Sequence, residues 1–133
     1  MFDIPPPPFD FEVIQDHADF MMAIEKSSVA DTEIELDGRT LPVRQAWIYV
    51  RYPDPYYTQP HHETQEERLV KEQWHLGYFS CKEQSSAVAA FLFFDKNGNF
   101  INKMADTLTL QDFQPIPKDN IGSLQLQFVC GCR

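Results

Sequence analysis

The chain has 133 residues, 43% apolar and 14% aromatic, and a net charge of −9. That length fits one domain with one real core. The acidity repels phosphate backbones and anionic lipid, which sets nucleic acid aside as a partner and disfavours direct adsorption to a membrane.

No stretch approaches the roughly 20 apolar residues of a membrane span. Eleven Phe, five Tyr and two Trp favour sheet over helix, because flat bulky side chains pack well on a pleated surface. The chain opens Met1-Phe2-Asp3-Ile4 and then four prolines, without the basic and apolar regions of a signal peptide. Two readings stand: a cytosolic protein, or a mature domain whose export signal has been removed. A proline-rich opening suits the second, since such segments tether a domain to an anchor. Residues 1–8 thus read as an extended polyproline tether and 9–133 as the domain.

Phe9, Phe11 and Val13 share one face, which predicts an entering edge strand. Phe20 to Ile24 is a second apolar run, broken by Ser27-Ser28-Val29-Ala30-Asp31. Thr32 to Leu36 alternates cleanly, Asp37-Gly38 is a strong turn signal, and Leu41 to Tyr52 follows as a long strand; residues 32–52 are a hairpin. The three prolines of Tyr52 to Pro60 rule out a continuing strand, and this stretch reads as a protruding loop whose tyrosines have no obvious core to enter. Leu69 to Cys81 resumes as a strand, with Ser85-Ser86 in a polar turn. Ala87 to Phe94, apolar on both faces, is a central strand. Asp95 to Asn99 turns it and Phe100 to Met104 pairs back. After the Pro115-Ile116-Pro117 break, Asp119 or Asn120 caps a short helix with Ile121, Leu124 and Phe128 at helical spacing. Leu124, Leu126, Phe128 and Cys130 also fit strand alternation; the cap favours the helix.

Three cysteines leave one over. Cys130-Gly131-Cys132 is too tight for a zinc half-site, and no second half-site exists. A Cys81–Cys130 bridge, with Cys132 free or intermolecular, and three reduced thiols in a cytosolic core both remain open on composition.

Other constellations carry little chemistry. Asp95-Lys96-Asn97-Gly98-Asn99 starts like a calcium loop, but Gly98 is fourth where an EF-hand needs glycine sixth, and Asp106 stands where the bidentate Glu belongs. His61-His62-Glu63, with His75 or His17, suggests a metal, yet neighbours on a strand point to opposite faces; the expectation is no metal and no cofactor. No serine has a base placed beside it by sequence. Tyr49, Tyr52, Tyr56 and Tyr57 form either an aromatic contact patch or cover for the sheet edge and Trp47.

Two stretches carry a resemblance: Glu72-Gln73-Trp74-His75-Leu76-Gly77-Tyr78-Phe79-Ser80-Cys81, and Phe113-Gln114-Pro115-Ile116-Pro117-Lys118-Asp119-Asn120-Ile121-Gly122 running on to Phe128-Val129-Cys130. In these, and in the order of its parts from about Phe11, the chain resembles the surface-adhesin protein E family of Gram-negative bacteria. Its proline-rich start is also similar to the CNP1-like exported neisserial proteins. The resemblance implies an α+β fold: a single antiparallel sheet of about six strands with one short C-terminal helix packed on it. It implies a Cys81–Cys130 bridge and export to the periplasm or outer-membrane surface, often as a lipoprotein. Family members bind host matrix and serum proteins such as vitronectin and laminin through a region resembling Arg68 to Cys81 and the residues just after it. The chain departs from the pattern in its acidity, its proline-rich loop and Cys132.

The expected function is therefore a non-catalytic exported binding domain with a protein partner, a host matrix or serum protein, and with a membrane only through an N-terminal anchor. The residues placed in the binding surface are Tyr52, Tyr56, Tyr57, Arg68, Lys71, Trp74 and Lys82. The alternatives are a self-associating envelope protein, with edge strands and Cys132 as routes to a homodimer, and a small apolar-ligand carrier with a pocket lined by Phe91 and Phe93.

Overall fold

A computed structural model of the chain describes residues 4–105, 107–118 and 120–131. The proposed cap Asp119, the leftover Cys132, Asp106 and the first three residues of the tether lie outside the described residues. In chain order the elements are β1 (Phe11–Asp16), β2 (Met21–Leu36), β3 (Arg39–Arg51), β4 (Thr58–Pro60), β5 (Glu67–Leu69), β6 (Glu72–Ser80), β7 (Ser85–Phe94), β8 (Phe100–Ala105), β9 (Gln114–Pro115) and helix α1 (Ile121–Cys130). One antiparallel sheet runs in the order β1-β2-β3-β6-β7-β8, with β9 added against the start of β7. β4 and β5 pair separately, as an excursion between β3 and β6. The fold is the α+β arrangement expected, a meander with one C-terminal helix.

Local chemistry explains the hairpins. Asp37 and Gly38 both have positive φ (53° and 77°) and join Leu36 to Arg39 as a two-residue turn whose twist matches the strands. Between β7 and β8, Asp95 Oδ1 accepts from the amides of Asn97 and Asn99, each at 2.9 Å, which makes the supposed calcium loop a hairpin turn.

The Ser27–Asp31 break is not a strand end. β2 continues through it as 16 residues, and the register with β3 slips between Glu25 and Ala30. Ser28 holds this bulge: its Oγ donates to Glu25 O at 2.6 Å and accepts from Trp47 N at 2.8 Å. The side chain thereby satisfies two buried backbone groups that the slipped ladder abandons.

Alternation splits the sheet into two apolar faces. Met22, Ile24, Ala46, Ile48, Val50, Phe79, Phe93 and Ile101 face α1, whose Val129 is buried among them. Ile121, Leu126, Phe128 and Cys130 pack against the same cluster, whereas Leu124, placed on the buried face by its spacing, is exposed. Asn120 caps the helix by accepting from Ser123 N at 3.0 Å. Gly77 is required on this face, since a Cβ there would lie 2.8 Å from Phe79 Cε1.

The opposite face carries Trp47, Tyr49, Trp74, Leu76, Ala90 and Leu92. Among the described residues no helix covers it; instead Phe11, Ile4 and Leu108 pack against it. Phe9 and Phe11 approach Trp74 at 5.1 and 5.7 Å between ring centroids, and Phe11 stacks on Tyr49 at 5.0 Å.

Three expectations change. The strand drawn from Leu69 to Cys81 is interrupted: Leu69 ends β5, the Val70 amide bonds to Tyr57 O, and the Lys71 amide bonds to Phe94 O before β6 begins. The stretch after Tyr52 returns to strand geometry at β4 and carries two of its tyrosines inward. Ser85-Ser86 belongs to β7, not to a turn; the turn occupies Cys81–Gln84.

Candidate functional site

β6 is the third-from-last strand of the path and is flanked by β3 and β7. Both faces are covered, so Trp74, His75, Leu76, Phe79 and Ser80 are buried. Apart from the half-buried Tyr78, only the ends of this strand reach solvent, and the residues expected to bind divide between those ends and the interior.

At the end where β6 begins, Tyr52, Tyr56 and Tyr57 meet one another at 5.4 to 5.5 Å between ring centroids. Tyr52 is 9% exposed and Tyr57 packs on the helix-side core, while Tyr56 is 70% exposed. Prolines that end β3 swing this segment back over the sheet edge, which is why two aromatics expected to protrude are packed instead. The Tyr57 hydroxyl donates to Gln73 Oε1 at 2.7 Å. Burial, reinforced by the adjacent Tyr52, holds its pKa above the ordinary phenol value. Lys71 Nζ donates to Pro53 O at 2.8 Å and Arg68 pairs with Glu66 at 3.1 Å. Trp74 is 4% exposed, on the far face among Phe9, Phe11 and Tyr49, and presents almost no contact surface.

Lys82 stands at the other end of β6. The nine residues of β6, at about 3.3 Å each, separate it from Lys71 by roughly 30 Å. There Cys81 and Cys130 are joined, with their Cα atoms 5.7 Å apart, so the end of α1 is fixed to the β6–β7 turn. Beside the bridge lies an open groove of about 530 Å³. Its floor includes the buried Val43 and Phe79, and its rim carries Lys82 together with Asp31 and Glu33. Arg44 ties this corner together, donating through Nε to Val129 O of α1 and through Nη1 to Asp31 Oδ1, both at 2.7 Å. Such a groove suits an apolar side chain of a protein partner flanked by charges. Its signal in sequence is confined to Lys82 beside Cys81; Arg44 and Val129 are 85 residues apart, and no local pattern connects them.

The four histidine rings bond to Gln15, to the Ile101 carbonyl, to turn amides and to Gln73, and none of these partners is a hydroxyl or thiol that a base would activate. His61, His62 and Glu63 do come together, each offering one ligand atom within 4.8 Å of the others. The alternation argument fails here because β4 ends at Pro60, and residues 62–64 are a turn rather than a strand.

Among the described residues no helix is long and apolar enough to cross a membrane. No curated protein and no solved structure matches the chain. The family model for surface-adhesin protein E matches residues 11–131, so the stapled sheet, its helix and the groove between them all fall within the matched region. The chain belongs to the surface-adhesin protein E family.

Proposed function

We propose that this is an exported, non-catalytic adhesin domain that contacts a host matrix or serum protein through the disulfide end of its sheet. The observation that carries this is the family match over residues 11–131. Family membership implies an exported or surface protein, and placement at the outer membrane or in the periplasm extends that implication.

The location of the contact is argued from burial. The interior of β6 offers little surface beyond the half-buried Tyr78, so a partner reaching this strand meets mainly the turn that follows it and the adjoining groove. The bridge and the Arg44 bonds hold both sides of the groove, which lowers the ordering cost of binding. An apolar-ligand carrier is less well supported, because Phe93 is buried in the core and Phe91 packs against it.

The test is surface binding of the purified, oxidised domain to immobilised vitronectin and laminin. Saturable binding to either is expected. Reversal of the rim charges, Lys82→Glu with Glu33→Lys, should weaken it about tenfold (roughly 1.4 kcal/mol), while Arg68→Glu at the opposite end should change it little. If the folded domain binds neither protein, the reading of the partner fails. If Arg68→Glu has the larger effect, the contact lies at the opposite end of β6.

A further inference from the structure

The loop between β4 and β5 brings His61, His62 and Glu63 together on the side of the molecule remote from the disulfide groove. Its geometry fixes which nitrogen of His62 is available. His62 Nδ1 lies 3.0 Å from Ile101 O, and a carbonyl only accepts, so Nδ1 carries the hydrogen and Nε2 the lone pair. That arrangement, a ring hydrogen donated to a backbone carbonyl, is how proteins orient a metal-binding imidazole. The backbone reinforces it, since the His62 amide donates to the same Ile101 O at 2.8 Å. The Nε2 lone pair faces Glu63 Oε1 at 3.8 Å, two electron-rich atoms directed at one region.

His61 completes the set. Its ring lies 4.4 Å from that of His62, and its Nδ1 accepts long bonds from the amides of Glu63 and Thr64 at 3.2 and 3.3 Å. Bonds of that length yield readily to a cation. Asn102, which lines the same hollow as both histidines, has a side-chain oxygen shut off from solvent without a hydrogen-bond partner. Its amide nitrogen is committed to Pro60 O at 2.6 Å, which fixes the orientation of the group.

We propose that His61, His62 and Glu63 form a binding site for one divalent transition-metal ion, with zinc the best match to two imidazoles and a carboxylate, and water in the remaining position. Bound there, the ion cross-links the loop that already rests on β8 through Ile101.

Calorimetric titration of tag-free, chelator-stripped, oxidised Cys132→Ser protein with zinc chloride tests this. One ion per chain is expected. His61→Gln and His62→Gln should each abolish the saturable phase, and Glu63→Gln should weaken it about tenfold or more. With cobalt(II), visible absorption should appear in the parent protein and vanish in both histidine variants. His62 and Glu63 lie on an exposed turn and His61 is half-buried just before it, and circular dichroism of each variant checks that the fold persists. Absence of saturable zinc binding overturns the proposal, as does binding that survives both histidine substitutions, since the ion would then sit elsewhere on the acidic surface. The outcome is independent of whether the domain binds a host protein.

Discussion

Glu25 is completely buried on a strand whose neighbours are Ile24 and, across the ladder, Phe11 and Trp47. Its carboxylate is tolerated because both oxygens are used: Oε2 accepts from Asp10 N at 2.7 Å and Oε1 from Ser27 Oγ at 2.5 Å. The pair of bonds holds the residues entering β1 against the bulge of β2. His75 makes the opposite bargain with its surroundings. It is buried on the helix side of β6 against Phe91, and desolvation pushes its pKa down to about 4. The unfolded chain takes up this proton near pH 6.5, the folded chain only near 4. Stability is therefore fully present above about pH 6.5 and declines as pH falls towards 4, by roughly 3 kcal/mol in all. Urea unfolding at pH 7 and pH 4.5 isolates this contribution. The parent protein should lose roughly 2 kcal/mol more between those pH values than His75→Leu, which lacks the titrating ring. Equal losses would show that His75 is solvated or bonded in its charged form.

At the level of elements, β2 shows how a polar break becomes a continuous strand. Ser28→Ala should leave the Glu25 carbonyl and the Trp47 amide buried and unpaired, at about 1 to 3 kcal/mol for each group. Denaturant unfolding should show a loss of about 2 to 6 kcal/mol, and hydrogen exchange should show lost protection at the Trp47 amide. A variant as stable as the parent would mean that water replaces the hydroxyl. This bulge also marks the limit of what the sequence discloses. The 32–52 hairpin and the apolar β7 are legible because turn chemistry and alternation are local properties. A bulge is not, because its signature, a short polar run, matches that of a loop until the hydroxyl's partners on another strand are known. Tyr52 and Tyr57 raise the same difficulty: prolines correctly announce that β3 stops, but the path by which they return the chain to the core depends on β5 and β6. Composition leaves the Cys81–Cys130 bridge and three reduced thiols both open, and family likeness is what favours the bridge; strand alternation says nothing about His61 and His62, because β4 ends at Pro60.

For the whole molecule, the meander and the helix are joined in different ways. Each strand of the path from β1 to β3, and from β6 to β8, follows its spatial neighbour in sequence, so those contacts close short loops. The helix has no such advantage. It follows a stretch whose described residues contain only a 3-10 turn at Leu110–Asp112 and the two-residue β9, and its end is fixed to the sheet by Cys81–Cys130 and by the Arg44 bond to Val129 O. The bridge spans 49 residues of sequence, a closure that contributes about 2 to 4 kcal/mol by restricting the unfolded chain. Its loss should not be felt uniformly. With Cys81→Ser and Cys130→Ser combined, the free energy of global unfolding should fall by that amount, and exchange protection in α1 should drop further than in β2 and β3. The reason is that α1 then keeps only the buried Val129, the partly buried contacts of Ile121, Leu126 and Phe128 and the Arg44 bond, whereas the hairpin keeps its own ladder. Uniform loss of protection across helix and hairpin would show instead that helix and sheet unfold as one cooperative unit, with the groove at their junction stabilised by the whole core rather than by the bridge beside it.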